Sequence, residues 1–64
     1  MVDTWTKQSP SGKPVAYRIE GSSEAGFVFS AKMEGRDVVE ISGHLKQPTR
    51  VEVEAHFADY AAGK

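Results

Sequence analysis

The sequence predicts an all-β domain: a five-stranded antiparallel meander, either curled into a small barrel of the SH3 or OB kind or left open and dimerising through its apolar face. Three observations predict it. Several stretches alternate apolar and polar residues with period two, the pattern of a half-buried strand. Clusters of Gly, Pro and Ser separate those stretches at short intervals. The large apolar residues from Trp5 to Phe57 fall almost without exception on odd numbers.

Residues 1–7 contain Val2, Thr4, Trp5 and Thr6, all good strand formers, and are expected to form the first strand. Residues 8–14 hold Pro10, Gly12 and Pro14 and form a loop. Residues 15–20 alternate Val15, Tyr17 and Ile19 against Ala16, Arg18 and Glu20, giving strand two, and residues 21–24 form a turn. Residues 25–41 are the clearest hairpin, with Phe27, Phe29, Ala31 and Met33 on one phase and Val39 and Ile41 resuming it after a turn. Gly43 and Pro48 mark residues 43–49 as a loop. Residues 50–57 alternate Val51, Val53, Ala55 and Phe57 with Glu52, Glu54 and His56 and are expected to form strand five. Residues 58–64 are expected to form a last helical turn or to fray.

The odd phase constrains the loops. Residues opposite each other in an antiparallel pair point to the same face, so paired numbers must sum to an even value and each hairpin loop must hold an odd number of residues. A two-residue turn at Gly35-Arg36 would set Phe29 against Ser42 and is excluded on that ground. Glycine chemistry favours a loop of Met33-Glu34-Gly35, with Gly35 left-handed and Phe29 opposite Val39. Charge pairing favours Gly35-Arg36-Asp37, with Lys32 opposite Glu40. A large apolar side chain gains roughly 1.5–3 kcal/mol on burial, so the odd face must be covered. Glycines near the strand ends favour curling into a barrel. A second copy is the next choice, and a lid made of the seven tail residues alone is too small.

Composition limits the function. The chain has 64 residues, eight Lys/Arg against nine Asp/Glu, a net charge of −1 and no cysteine. Such a chain makes one domain without disulfides or zinc–thiolate sites and carries no basic surplus for nucleic acid. Neither a leader sequence nor a membrane-spanning run is visible, so a cytoplasmic protein is expected.

No catalytic or cofactor motif stands out. Ser9, Ser11, Ser22 and Ser23 lack a nucleophile context, and Ser11-Gly12-Lys13 lacks the rest of a phosphate loop. Glu52, Glu54 and His56 would form a row on one strand face, read here as a solvated exterior rather than a metal site. The expectation is a non-enzymatic protein-interaction module, an adaptor or inhibitor of the kind a phage or mobile element carries. It would bind another protein, or itself, through a sheet edge or its mixed-charge face at Arg18, Val28, Lys32, Val38 and Glu40. The alternative is a small-barrel nucleic-acid binder using Lys13, His44, Lys46 and Arg50. No cofactor, metal or membrane partner is expected.

Overall fold

The computed structural model describes residues 1–63. Strands β1 (Val2–Gln8), β2 (Pro14–Ser22), β3 (Gly26–Met33) and β4 (Val39–His44) form one sheet in that order, each antiparallel to the next. Two short helices follow, α1 (Arg50–His56) and α2 (Ala58–Ala61). The meander is therefore present with four strands, and the sheet stays open rather than closing into a barrel.

Odd residues face odd residues across the sheet as far as the Gly43 bulge in β4. Trp5 faces Tyr17, Ile19 faces Phe29, and Phe29 faces Ile41. The loops 9–13 and 23–25 have odd lengths, as the phase requires. Val15, Tyr17, Ile19, Phe27, Phe29, Ala31 and Met33 are buried on that face. Neither expected register of the central hairpin is adopted, however. Ala31 faces Val39 and Ser30 faces Glu40, one step between the two candidates. Gly35 is left-handed, with φ +80°, but it closes a turn in which the Arg36 N–H donates to the Met33 carbonyl at 3.1 Å.

Residues 50–57 are the principal correction, because they form a helix instead of a fifth strand. Seven residues of strict alternation also suit a short amphipathic helix once the following turn is included. Val53, Phe57, Tyr60 and Ala61 are buried at spacings of four, three and one, one stripe of a helical surface. A strand would have buried Val51 as well, and Val51 is 75% exposed. The local start signal is a capping box. The Thr49 hydroxyl accepts the Glu52 N–H at 3.2 Å, and the Glu52 carboxylate accepts the Thr49 N–H.

The helices cover the odd face, so the sheet has no need to curl. The cover is larger than the seven-residue tail because α1 belongs to it. Phe57 meets the Phe29 ring at a centroid distance of 5.8 Å, and the core is one cluster shared by β2, β3 and both helices. The phase changes only at Gly43, with φ +84°, where a bulge lets Phe27 face His44. That residue's imidazole turns towards the core, edge-on to Phe29 at 4.9 Å. Leu45, expected on the core phase, is consequently 80% exposed.

Candidate interaction surfaces

With the odd face covered, the even face is the broad surface left open. The register lines up Thr4, Arg18, Ser30 and Glu40 in one row across all four strands. Glu20 and Val28 form an adjacent row, and Ala16 and Lys32 another. Four of the five expected partner-binding residues, Arg18, Val28, Lys32 and Glu40, therefore share this face. A shallow groove lined by Arg18, Glu20, Val28, Ser30 and Glu40 runs over it. Arg18 and Glu20 pair within the face at 2.6 Å, and the Lys32 ammonium donates to the Arg36 carbonyl at 2.6 Å. Val38 lies in the connection just before β4, 55% exposed and outside the ladder.

The sheet edges are the second kind of surface. The Gly21 N–H donates to the Met1 carbonyl, which makes Met1 and Gly21 a hydrogen-bonded pair at the start of the β1–β2 ladder. Bonding alternates along an antiparallel pair. The odd residues of β1 thus bond to β2, and the backbone groups of Val2, Thr4, Thr6 and Gln8 point outward from the edge. By the same alternation, the outward groups of β4 are those of Glu40 and Ser42.

The α1–β1 seam holds four side-chain hydrogen bonds between the layers. Arg50 donates to both carboxylate oxygens of Asp3, at 2.9 and 2.7 Å, and lies over the Trp5 ring at 4.9 Å. Glu54 accepts the Trp5 indole N–H at 3.0 Å and the Lys7 ammonium at 2.7 Å. The Arg50 hydrogen bonds hold the Asp3 carboxyl below its ordinary value, and the Lys7 hydrogen bond does the same for Glu54. Lys7 and Arg50 are raised in turn by those partners, and burial raises the Tyr17 phenol. Trp5 stacks on Tyr17 at 5.2 Å. Half-buried Trp5 is thus contacted by Arg50, Glu54 and Tyr17.

Of the residues expected to contact nucleic acid, His44 and Lys46 line one depression beside Pro48, and Lys13 lies away from them. Lys13 closes the loop at the Gln8 end of β1, where its carbonyl accepts the Ser9 N–H. Lys46 lines a depression with Met1, Gly21 and Phe27 at the opposite end. Seven strand residues, roughly 23 Å, separate the two ends of β1. Arg50 is engaged by Asp3, and His44 packs on Phe29 and on His56 at 5.9 Å.

Glu52, Glu54 and His56 do not form the expected strand row. Glu52 caps α1, Glu54 turns to β1, and His56 turns to Phe29 at 5.2 Å. Among the described residues, no group of three or more His, Asp or Glu side chains is placed to hold a metal ion. Ser9 is buried and shares a 2.7 Å hydrogen bond with Ser11, which also donates to the Ala61 carbonyl. Its neighbours are therefore those of a structural loop.

The seam and the buried stripe were missed by period-two reasoning. The signals that locate them are Thr49 followed by Glu52 after Pro48, and the helical spacing of Val53, Phe57 and Tyr60. No family model, no curated protein and no solved structure matches the chain.

Proposed function

We propose that the protein is a non-enzymatic protein-interaction module that engages its partner through the open even face of the sheet. The observation that carries the reading is the placement of Arg18, Val28, Lys32 and Glu40 on one uncovered surface. Antiparallel sheets tolerate one solvated face, so exposure alone is unremarkable. What favours a contact role is the combination of a small apolar centre with both signs of charge around it. Val28 and Ser30 are half-buried between Arg18, Glu20 and Glu40, so a partner can bury apolar area while meeting matched charges. An adaptor or inhibitor role in the cytoplasm suits such a module.

The test is affinity capture from the native host with the wild-type chain and with a Val28→Arg, Arg18→Glu double variant. A stoichiometric protein retained by the wild type and lost by the variant supports the reading. Equal retention by both, or no protein retained by either, overturns it.

The nucleic-acid reading is the weaker one. Lys13 and Lys46 sit at opposite ends of the sheet, and Glu20 and Glu40 on the open face repel phosphate. A salt-sensitive shift of labelled DNA or RNA, reduced by Lys46→Ala, would reinstate it.

A further inference from the structure

We propose that two copies of the chain join edge to edge through β1, antiparallel about a two-fold axis at Trp5, to make one continuous eight-stranded sheet. The inference goes beyond the preceding reading, because the partner is a second copy of the chain and the surface is a different one. It stands on the β1 edge rather than on the open face.

The edge is a regular template along its full length. Strand β1 runs seven residues in regular register with β2, without proline or a bulge. Its outward backbone groups belong to Val2, Thr4, Thr6 and Gln8, none of them charged. Native edges are ordinarily blunted by Lys, Pro, bulges or a covering element. At β4 the Gly43 bulge and Glu40 play that part. On β1 the charged side chains, Asp3 and Lys7, point to the helix side, where Arg50 and Glu54 pair with them and offset their charge, the Lys7 side chain remaining 63% exposed.

The sequence of the strand is self-complementary in one register. The outward-bonding residues are even-numbered, so a symmetric pairing must set even against even, and its numbers must sum to an even value. With Trp5 on the axis, the sum is ten. Thr4 then bonds with the partner's Thr6, Val2 with the partner's Gln8, and Asp3 faces the partner's Lys7 in a close, non-hydrogen-bonded pair. Thr–Thr and opposite-charge pairs are among the favourable cross-strand pairs. All seven residues are matched, because Trp5 is the midpoint of Val2–Gln8.

The neighbouring registers lack this match. Centring on Thr4 sets Asp3 against the partner's Trp5, and centring on Thr6 sets Trp5 against the partner's Lys7. Each also leaves part of the strand without an opposite residue.

The ion pairs already present extend the argument across the axis. Arg50 and Asp3 of one copy, followed by the partner's Lys7 and the partner's Glu54, form a row of alternating sign. The axis is perpendicular to the sheet, so both helical layers lie on the same side. The two half-buried Trp5 rings meet between them, which covers the aromatic surface each copy leaves open.

Light scattering on the full chain at high micromolar concentration is expected to give twice the 7.0 kDa monomer mass. Thr4→Pro removes one outward N–H without touching a β1–β2 bond, so it is expected to halve that mass while the circular dichroism spectrum is retained. The chain contains no cysteine, so cross-linking reads the register directly. An air-oxidised mixture of Thr4→Cys and Thr6→Cys chains is expected to yield the mixed disulfide dimer, with little from either variant alone.

A wild type that stays monomeric, or a folded Thr4→Pro variant that stays dimeric, overturns the proposal. So does self-cross-linking of either single variant in preference to the mixture. The Val28→Arg, Arg18→Glu variant is expected to remain dimeric, so loss of partner capture and loss of dimerisation are separate results.

Discussion

The Tyr60 hydroxyl takes the place of a rung in the β3–β4 ladder, accepting the Met33 backbone N–H at 3.0 Å. It passes the bond on, donating to the Asp37 carbonyl at 2.7 Å. Continued two steps beyond Ala31 and Val39, the register would set Met33 opposite Asp37, and the phenol bridges their backbone groups instead. Arg36 closes the arrangement. Its guanidinium lies over the Tyr60 ring at 4.5 Å and donates to the Tyr60 carbonyl at 2.9 Å. The turn and α2 are therefore built on each other, and the end of the hairpin is bridged by a residue 23 positions past Asp37.

Tyr60→Phe is expected to destabilise the fold by about 1–3 kcal/mol. The ring would still fill its site, but the buried Met33 N–H would lose its acceptor. Urea denaturation checks this, and an unchanged midpoint would contradict the spliced rung. Hydrogen exchange at Met33 is expected to accelerate more than at Phe29, whose ladder is untouched.

This splice also explains what could be read from the sequence and what could not. Period-two alternation and odd-number parity identified the first four strands, because each is governed by burial of one face against water. The central register escaped because neither glycine nor charge within residues 33–37 singles it out, and the phenol that bridges Met33 and Asp37 arrives from α2. Residues 50–57 escaped for a different reason. Over so few residues, alternation at period two and one stripe at period 3.6 overlap, and only Thr49, Glu52 and Tyr60 distinguish them. Of the candidate surface, Arg18, Val28, Lys32 and Glu40 were legible because the face of a residue follows from its parity. The Arg50–Asp3 and Glu54–Trp5 contacts join residues 47 and 49 positions apart, and no local pattern announces them.

Gly21→Ala is expected to be among the most damaging surface-strand substitutions. Gly21 has φ +131° opposite Phe27, and a Cβ there would lie 2.2 Å from the Gly26 carbonyl oxygen. The backbone conformation alone costs a non-glycine residue about 1–3 kcal/mol, and the neighbouring atoms are main chain that cannot swing aside. A thermal midpoint equal to wild type would show that the β2–β3 hairpin can relax. A Gly12→Ala control has open space around the new Cβ, which leaves only the cost of its positive φ.

Thr49→Ala is expected to cost about 1 kcal/mol, the usual value for losing an N-cap side chain. Helix α1 has seven residues and too little intrinsic stability to ignore one orphaned donor. Thr49→Ser preserves the acceptor for the Glu52 N–H and is expected to recover most of the loss. A chemical-denaturation series over the three proteins decides it, and equal loss in the Ala and Ser variants would assign the effect to the methyl group.

Glu54→Gln tests the seam through its pH dependence. Glu54 titrates below its ordinary value in the fold, first because of Lys7 and further because of the Trp5 N–H, and Asp3 is lowered by Arg50. A depressed carboxylate contributes stability above its unfolded value, near 4 for both residue types, and loses it as pH falls through the lower folded value. The raised Lys7 works in the other sense, contributing below its unfolded value and losing that contribution as pH rises past about 10, while the raised Arg50 stays charged throughout that range. These four groups therefore give no slope between about pH 6 and pH 9, and an acid-side loss beginning near pH 4. The amide of Glu54→Gln can still accept the indole N–H but cannot pair with Lys7, so the variant is expected to be less stable at pH 7 and to show a shallower decline in acid. Denaturation midpoints at pH 7 and pH 3 measure both effects. An identical acid slope in the two proteins would remove Glu54 from the set of groups that link the helices to β1.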